Sequence, residues 1–227
     1  MKLVLKDLSK SYGDNEVLKN VNFEFESGKI YGLLGRNGSG KTTLMNIINE
    51  DTDFNSGEFY LDDGTPLKTE DIGYVISTPV VPDFLTAREF LEFFIDIHKD
   101  EIKEPKTIEE YFKIVGLESS DWDKLLKDYS HGMKNKIQIL INIIANPKLI
   151  LMDEPLMSLD VVMQDEMKKL FKGIKKDHII IFSTHILELA LDLCDEIVLL
   201  NNKTLTSVNK KTPKTKIIEI LKGEVNE

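Results

Sequence analysis

The sequence predicts an α/β fold: a parallel sheet covered by helices, accompanied by an antiparallel β subdomain and an inserted α-helical subdomain. Three observations carry that prediction. Residues 2–7 and 21–26 alternate apolar and polar side chains, as antiparallel strands with one solvated face do. Residues 29–34, 148–152, 178–182 and 196–200 are short apolar runs, each beside a turn signal or a helical pattern, which is how strands buried on both faces read. Between residues 79 and 145 the pattern changes to helix after helix.

The bulk numbers agree with a single globular unit. At 227 residues the chain exceeds one average domain without reaching two. We therefore expect one fold over residues 1–227, with a core of about 1–78 and 146–227 and a helical subdomain of about 79–145. No internal repeat, low-complexity tract or linker interrupts it. Hydrophobic residues make up 41% and charged residues 30%, an ordinary soluble balance. The formal charge of -10 disfavours nucleic acid as a partner, because phosphate neutralisation needs a basic surface. One cysteine, Cys194, cannot form an intrachain disulfide and has packed-thiol neighbours. No apolar run approaches the roughly 20 residues of a membrane span, and charge enters too early at the N-terminus for a signal peptide.

In chain order, the run 30–34 leads directly into Gly35-Arg36-Asn37-Gly38-Ser39-Gly40-Lys41-Thr42, with a helix predicted over 43–49. This satisfies G-x-x-x-x-G-K-[ST] in a strand, loop, helix context, the arrangement of a P-loop NTPase core. Glycines let the backbone curl so that successive N–H groups point at phosphate oxygens, and the helix N-terminus adds positive potential. Lys41 is then expected to reach the outer phosphates and the Thr42 hydroxyl to bind Mg2+. Thr86 with Glu89 forms a capping box that opens the helical region, ahead of Phe90, Leu91, Phe94 and Ile95 at helical spacing. Residues 128–136, Asp-Tyr-Ser-His-Gly-Met-Lys-Asn-Lys, start another helix before the apolar run 137–145. Ser130 fits an N-cap hydroxyl there, and the free amides from Gly132 onward offer a dipole end to an anion.

The apolar run 149–152 ends in Asp153 and Glu154. Carboxylates at the end of a buried strand are costly unless something positive compensates, and a metal ion does. Asp153 is placed to orient Mg2+ through its water shell, and Glu154, pointing the other way, to polarise a water for in-line attack on a γ-phosphate. The run 178–182 ends in Ser183-Thr184-His185. If that strand neighbours 149–152, His185 lands near the same phosphates with an imidazole able to donate or accept. Lys203, Lys210, Lys211, Lys214 and Lys216 read as a solvated hairpin and helix face.

Together these segments resemble the nucleotide-binding subunit of ATP-binding cassette (ABC) transporters, over nearly the entire chain. The resemblance implies ATP and Mg2+ as cofactors and assigns roles residue by residue. Tyr12 matches the aromatic that stacks on adenine; Gly35, Arg36, Asn37, Gly38, Ser39, Gly40, Lys41 and Thr42, with Thr43, match the phosphate loop. Asp153 and Glu154 match the metal-orienting and water-activating acids, Ser158-Leu159-Asp160 the loop linking two sites, and His185 the switch histidine. Residues 128–136 match the family signature, whose serine, here Ser130, and following amides, here Gly132, contact the γ-phosphate held by the opposite subunit. Ser77 stands where the family has a glutamine that touches Mg2+; serine can act through water but is too short for direct reach. His131 replaces the first signature glycine, and Met133 stands where glutamine is commonest.

The function this implies is ATP hydrolysis by a homodimer that closes around two ATP molecules and drives a separately encoded membrane permease. The permease would dock near Ser77 to Arg88, holding the chain at the cytoplasmic face of the membrane. Residues 85–91 look more like bacterial exporters than importers. Two alternatives differ in class. A soluble ABC-type ATPase acting on ribosomes or DNA usually carries two cassettes or long coiled-coil insertions, and this chain has neither. A P-loop small-molecule kinase needs an acceptor pocket and basic lid residues, yet the arginines here are Arg36 and Arg88.

Overall fold

The computed structural model describes residues 1–100, 102, 104–157 and 159–223. Its elements run β1 (Lys2–Tyr12), β2 (Asn15–Glu26), β3 (Ile30–Leu34), α1 (Lys41–Ile48), β4 (Ser56–Leu61) and β5 (Ile72–Val75). Three helices follow: α2 (Ala87–His98), α3 (Ile108–Ile114) and α4 (His131–Ala145). The chain then adds β6 (Leu149–Asp153), α5 (Val161–Ile174), β7 (Ile179–Thr184), α6 (Leu187–Leu193), β8 (Glu196–Asn201), β9 (Thr204–Val208) and α7 (Lys214–Lys222).

The main sheet has the order β5-β6-β7-β3-β8-β9, parallel throughout except for the antiparallel β8–β9 hairpin. Its apolar runs are continuous because both faces are covered. Ile30, Leu34, Ile150, Met152, Ile180 and Phe182 point into one core with α4, α5 and α6. Tyr31, Leu33, Leu149, Leu151, Ile179 and Ile181 point into the other, where α1 lies beneath the smaller sheet. Alternate residues of each strand thus feed opposite cores, as the strand period of two requires. The smaller sheet, ordered β2-β1-β4, is antiparallel.

Both antiparallel strands run beyond the predicted alternation. In β1 the pattern Leu3, Leu5 breaks and resumes at Leu8, where the register with β2 shifts and Asp7 takes φ of 50°. Asn22 Oδ1 accepts the freed Asp7 N–H at 3.0 Å, which satisfies the backbone at this irregularity.

The helical region is held by caps and by the half-buried Arg88. Thr86 and Thr107 both form capping boxes, with Glu89 and Glu110, at the starts of α2 and α3. Arg88 pairs with Asp123 at 2.8 Å and Glu109 at 3.0 Å, and its guanidinium sits 5.5 Å from the Trp122 ring centroid. Helix α4 spans from this region onto the sheet: an added Cβ at Gly73 in β5 would run into the Asn142 side chain and the Pro147 ring, so the missing Cβ favours the close approach. Among the described residues no helix is long and apolar enough to cross a membrane. The C-terminal lysines pair locally, Lys203 with Glu16 at 3.0 Å and Lys214 with Glu188 at 3.3 Å, consistent with a solvated face.

Candidate functional site

The site lies at the carboxyl ends of β3, β6 and β7, which the strand order makes adjacent. Open α/β sheets bind ligands there because loops from neighbouring strands converge on one crevice. Strand β3 ends at buried Leu34, the loop 35–40 turns, and α1 begins at Lys41. Gly40 has φ of 106°, and a Cβ there would lie 2.7 Å from Val17 Cγ1, so the turn into α1 admits no larger residue.

Lys41 is only 7% exposed, and its Nζ donates to the Gly35 carbonyl at 2.9 Å and to the Arg36 carbonyl at 3.4 Å. Burial lowers its pKa, opposed by the carboxylates of Glu154 and Asp153. A cation held on carbonyls inside a glycine loop is poised to exchange those neutral oxygens for charged ones. One residue further, Thr42 Oγ1 donates to Asp153 Oδ2 at 2.9 Å. Asp153 is 6% exposed and its other oxygen accepts from Ser183 Oγ. The same Ser183 oxygen accepts the Glu154 N–H at 3.1 Å. Glu154 Oε1 meets His185 Nδ1 at 2.8 Å, while Glu154 Oε2 is buried with no partner among the described residues. A buried carboxylate oxygen without a donor is costly, so an arriving water or ligand proton has a ready acceptor.

An open cleft of 410 Å3 joins these groups; Val17, Gly38, Thr43, Ser77, Asp153 and Glu154 are among its walls, with Asn37, Gly40, Lys41 and Thr42. Arg36 and Ser39 line an adjoining cleft of 330 Å3 beside Glu16 and Lys203. The structure therefore brings together the phosphate loop, Ser77, both acids and His185, the β6–β7 adjacency supplying the condition on which His185 depended. The oxygen set suits Mg2+. No group of three or more His, Cys, Asp or Glu among the described residues could cage a metal. Thr42 and Asp153 instead offer the one or two hard oxygens that suffice for an ion keeping waters and sharing substrate phosphates.

Other expected residues lie apart. Tyr12, at the end of β1, is 51% exposed with Lys10 Nζ 4.7 Å from its ring centroid, and it lines neither cleft. Val17 of β2 is the side chain that walls the cleft from that side, a residue no motif marks. Ser130 is the N-cap of α4, its hydroxyl accepting the Met133 N–H at 3.2 Å, and Gly132 lies in the first turn. Asp160 caps α5 through Met163 N–H at 2.9 Å. Both caps are exposed and neither lines this chain's own cleft. Ser158 lies outside the described residues. Sequence reasoning also missed Ser183 as the hydroxyl joining the two acids; its signal was a polar residue fully buried at the end of an apolar strand.

Known proteins resemble this chain in sequence and fold. The chain is 34% identical over 207 residues to an uncharacterized ABC transporter ATP-binding protein, YdbJ, of Bacillus subtilis; the match covers 87% of this chain and 66% of that protein. Among solved structures, an ATP-binding subunit of an ABC transporter superposes with a TM-score of 0.81 at 24% identity, covering 99% of both chains. The ATP-binding cassette MJ0796, in a dimeric post-hydrolysis state with ADP and Pi, gives 0.77 at 25% identity over 93% of this chain and all of its own. The family model described as ABC transporter matches residues 18–157, more than half the chain and including the phosphate loop, α4 and both acids, so the chain belongs to the ABC transporter family, with the fold of its ATP-binding subunit.

Proposed function

We propose that this chain binds and hydrolyses ATP, and that hydrolysis drives a membrane permease encoded separately. The observation that carries the proposal is the convergence of Lys41, Thr42, Asp153, Glu154 and His185 at three adjacent strand ends. In this reading Lys41 exchanges the Gly35 and Arg36 carbonyls for β- and γ-phosphate oxygens, and the loop amides of residues 36–43 cradle the remainder. Thr42 and Asp153 present their oxygens to Mg2+, which supplies charge neutralisation when bound. Glu154 accepts the proton of the attacking water on Oε2, its other oxygen being held by His185. Ser77 lines the same cleft and would act through a water.

Closure of two copies follows from where the remaining residues sit. Ser130 is exposed, Gly132 is half-buried, and neither lines this chain's own cleft, which fits the contact the family resemblance implies, to a γ-phosphate held by another subunit. ATP bridges such a dimer and ADP does not, which is the differential affinity that any ligand-driven change requires. The relative solved as a dimer supports association of two copies. Tyr12 and Asp160 would join the site on nucleotide binding and closure. Val80 and Phe84, 72% and 79% exposed within residues 77–88, form the apolar surface we assign to the permease, which would hold the chain at the cytoplasmic membrane face. Export is the direction we favour, from the resemblance of residues 85–91. Acceptor-free ATP hydrolysis tests the enzymatic core of the proposal: a steady release of phosphate with ATP and Mg2+ alone supports it, and turnover only with a small-molecule acceptor would support a kinase instead.

A further inference from the structure

Helix α4 buries a row of amide side chains, Asn135, Gln138 and Asn142, between the helical region and the main sheet. Asn135 is 3% exposed, its Nδ2 donates to the Pro155 carbonyl, and its Oδ1 is buried without a partner. A half-satisfied buried amide is a poor stabiliser: its orphaned acceptor forfeits water and gains nothing. Gln138 Oε1 is likewise buried and unpartnered among the described residues, so what distinguishes Asn135 is the group its donor holds.

What it holds is the peptide next to Glu154. Glu154 takes φ of 51°, a left-handed conformation unfavourable for any residue with a Cβ. The following proline adds its own steric restriction. Such a conformation persists only when the surroundings over-determine it. Its N–H is fixed by Ser183 Oγ at 3.1 Å, its carbonyl accepts from Met157 N–H at 3.2 Å, and one residue on, Asn135 fixes the Pro155 carbonyl. Five residues before Asn135 stands Ser130, the N-cap of the same helix.

We infer that Asn135 is a positioning residue for Glu154, tying the water-activating carboxylate of one site rigidly to the helix whose N-terminus serves the other. It touches neither nucleotide nor phosphate loop and acts through the Pro155 peptide. Movement of α4 on closure is thereby transmitted to the aim of Glu154. The inference rests on the proposed role of Glu154.

The test compares Asn135→Leu, which keeps the branched shape and removes the donor, with Gln138→Leu, a buried amide one turn along that does not hold the Pro155 peptide, and with Glu154→Gln. Asn135→Leu is expected to lower kcat about tenfold or more, since small misplacements of a reacting group cost that much. KM for ATP, affinity for a fluorescent ATP analogue and the thermal midpoint are expected to stay near the parent values. Gln138→Leu is expected to keep the parent kcat. A parent-like kcat in Asn135→Leu would overturn the inference, as would an equal fall in Gln138→Leu, which would mark a general packing effect. Where Asn135→Leu fails to fold, Asn135→Ala, which removes the donor without added bulk, takes its place under the same criteria. Undiminished turnover in Glu154→Gln would instead remove the role of Glu154 itself.

Discussion

In the proposed reaction the consecutive residues Glu154 and Asp153 have divided tasks, in keeping with their different partners. Asp153 faces Thr42 at 2.9 Å and shares Ser183 with the Glu154 amide, whereas Glu154 turns to His185 at 2.8 Å. Glu154→Gln is therefore expected to cut ATP turnover by about 10²- to 10⁴-fold, the usual worth of a positioned general base, while leaving nucleotide affinity intact; steady-state phosphate release beside equilibrium binding checks both. Cys194 is a residue without a catalytic part. Burial pushes its thiol up to about 12, above the 9.0 of a free thiol, so the folded chain holds the proton that the unfolded chain loses. Its contribution to stability is complete below about pH 9 and is lost as pH rises toward the folded value. Two outcomes are expected: an aromatic disulfide reagent labels the native chain slowly and the urea-unfolded chain at once, and the thermal midpoint falls more steeply above pH 9 in the parent than in Cys194→Ala. At this scale the spaced motifs were legible, because Lys41, Thr42, Asp153 and Glu154 owe their chemistry to near neighbours in sequence. Ser183 and Asn135 were not, since their work depends on which strand and helix lie beside β6.

Helix starts separate structure from function at the next scale. Thr86 and Ser130 are both N-caps, each accepting the N–H of the residue three positions on. Removal of either hydroxyl by alanine is expected to cost about 1 kcal/mol of stability, the typical worth of a cap. Thr86→Ala should leave ATP turnover unchanged and Ser130→Ala should lower it, because only the Ser130 cap faces a partner's phosphate in the proposed dimer. Denaturant titration paired with an ATPase assay reads both; equal activities in the two variants would return α4 to the status of an ordinary capped helix. The buried parallel strands were legible because both their faces are apolar. Strand β4 was not: Ser56, Gly57 and Glu58 are exposed and carry no alternation, and pairing with β1 alone makes them a strand. The sequence also hid how α4 reaches from the helical region onto β5, which the missing Cβ at Gly73 favours.

For the whole molecule, the proposed mechanism gives each chain an incomplete site. One chain assembles the phosphate loop, the acids and His185 around a cleft, yet leaves Ser130 and Asp160 exposed outside it. A formal charge of -10 gives two copies no general attraction, so an association that occurs must be driven by a specific bridge. The measurement that tests this most directly is the molar mass of Glu154→Gln by size exclusion with light scattering, with ATP, with ADP, and without nucleotide. A dimer is expected with ATP and Mg2+ and a monomer in the other two conditions. A monomer that persists with saturating ATP at high protein concentration would contradict the proposed closure.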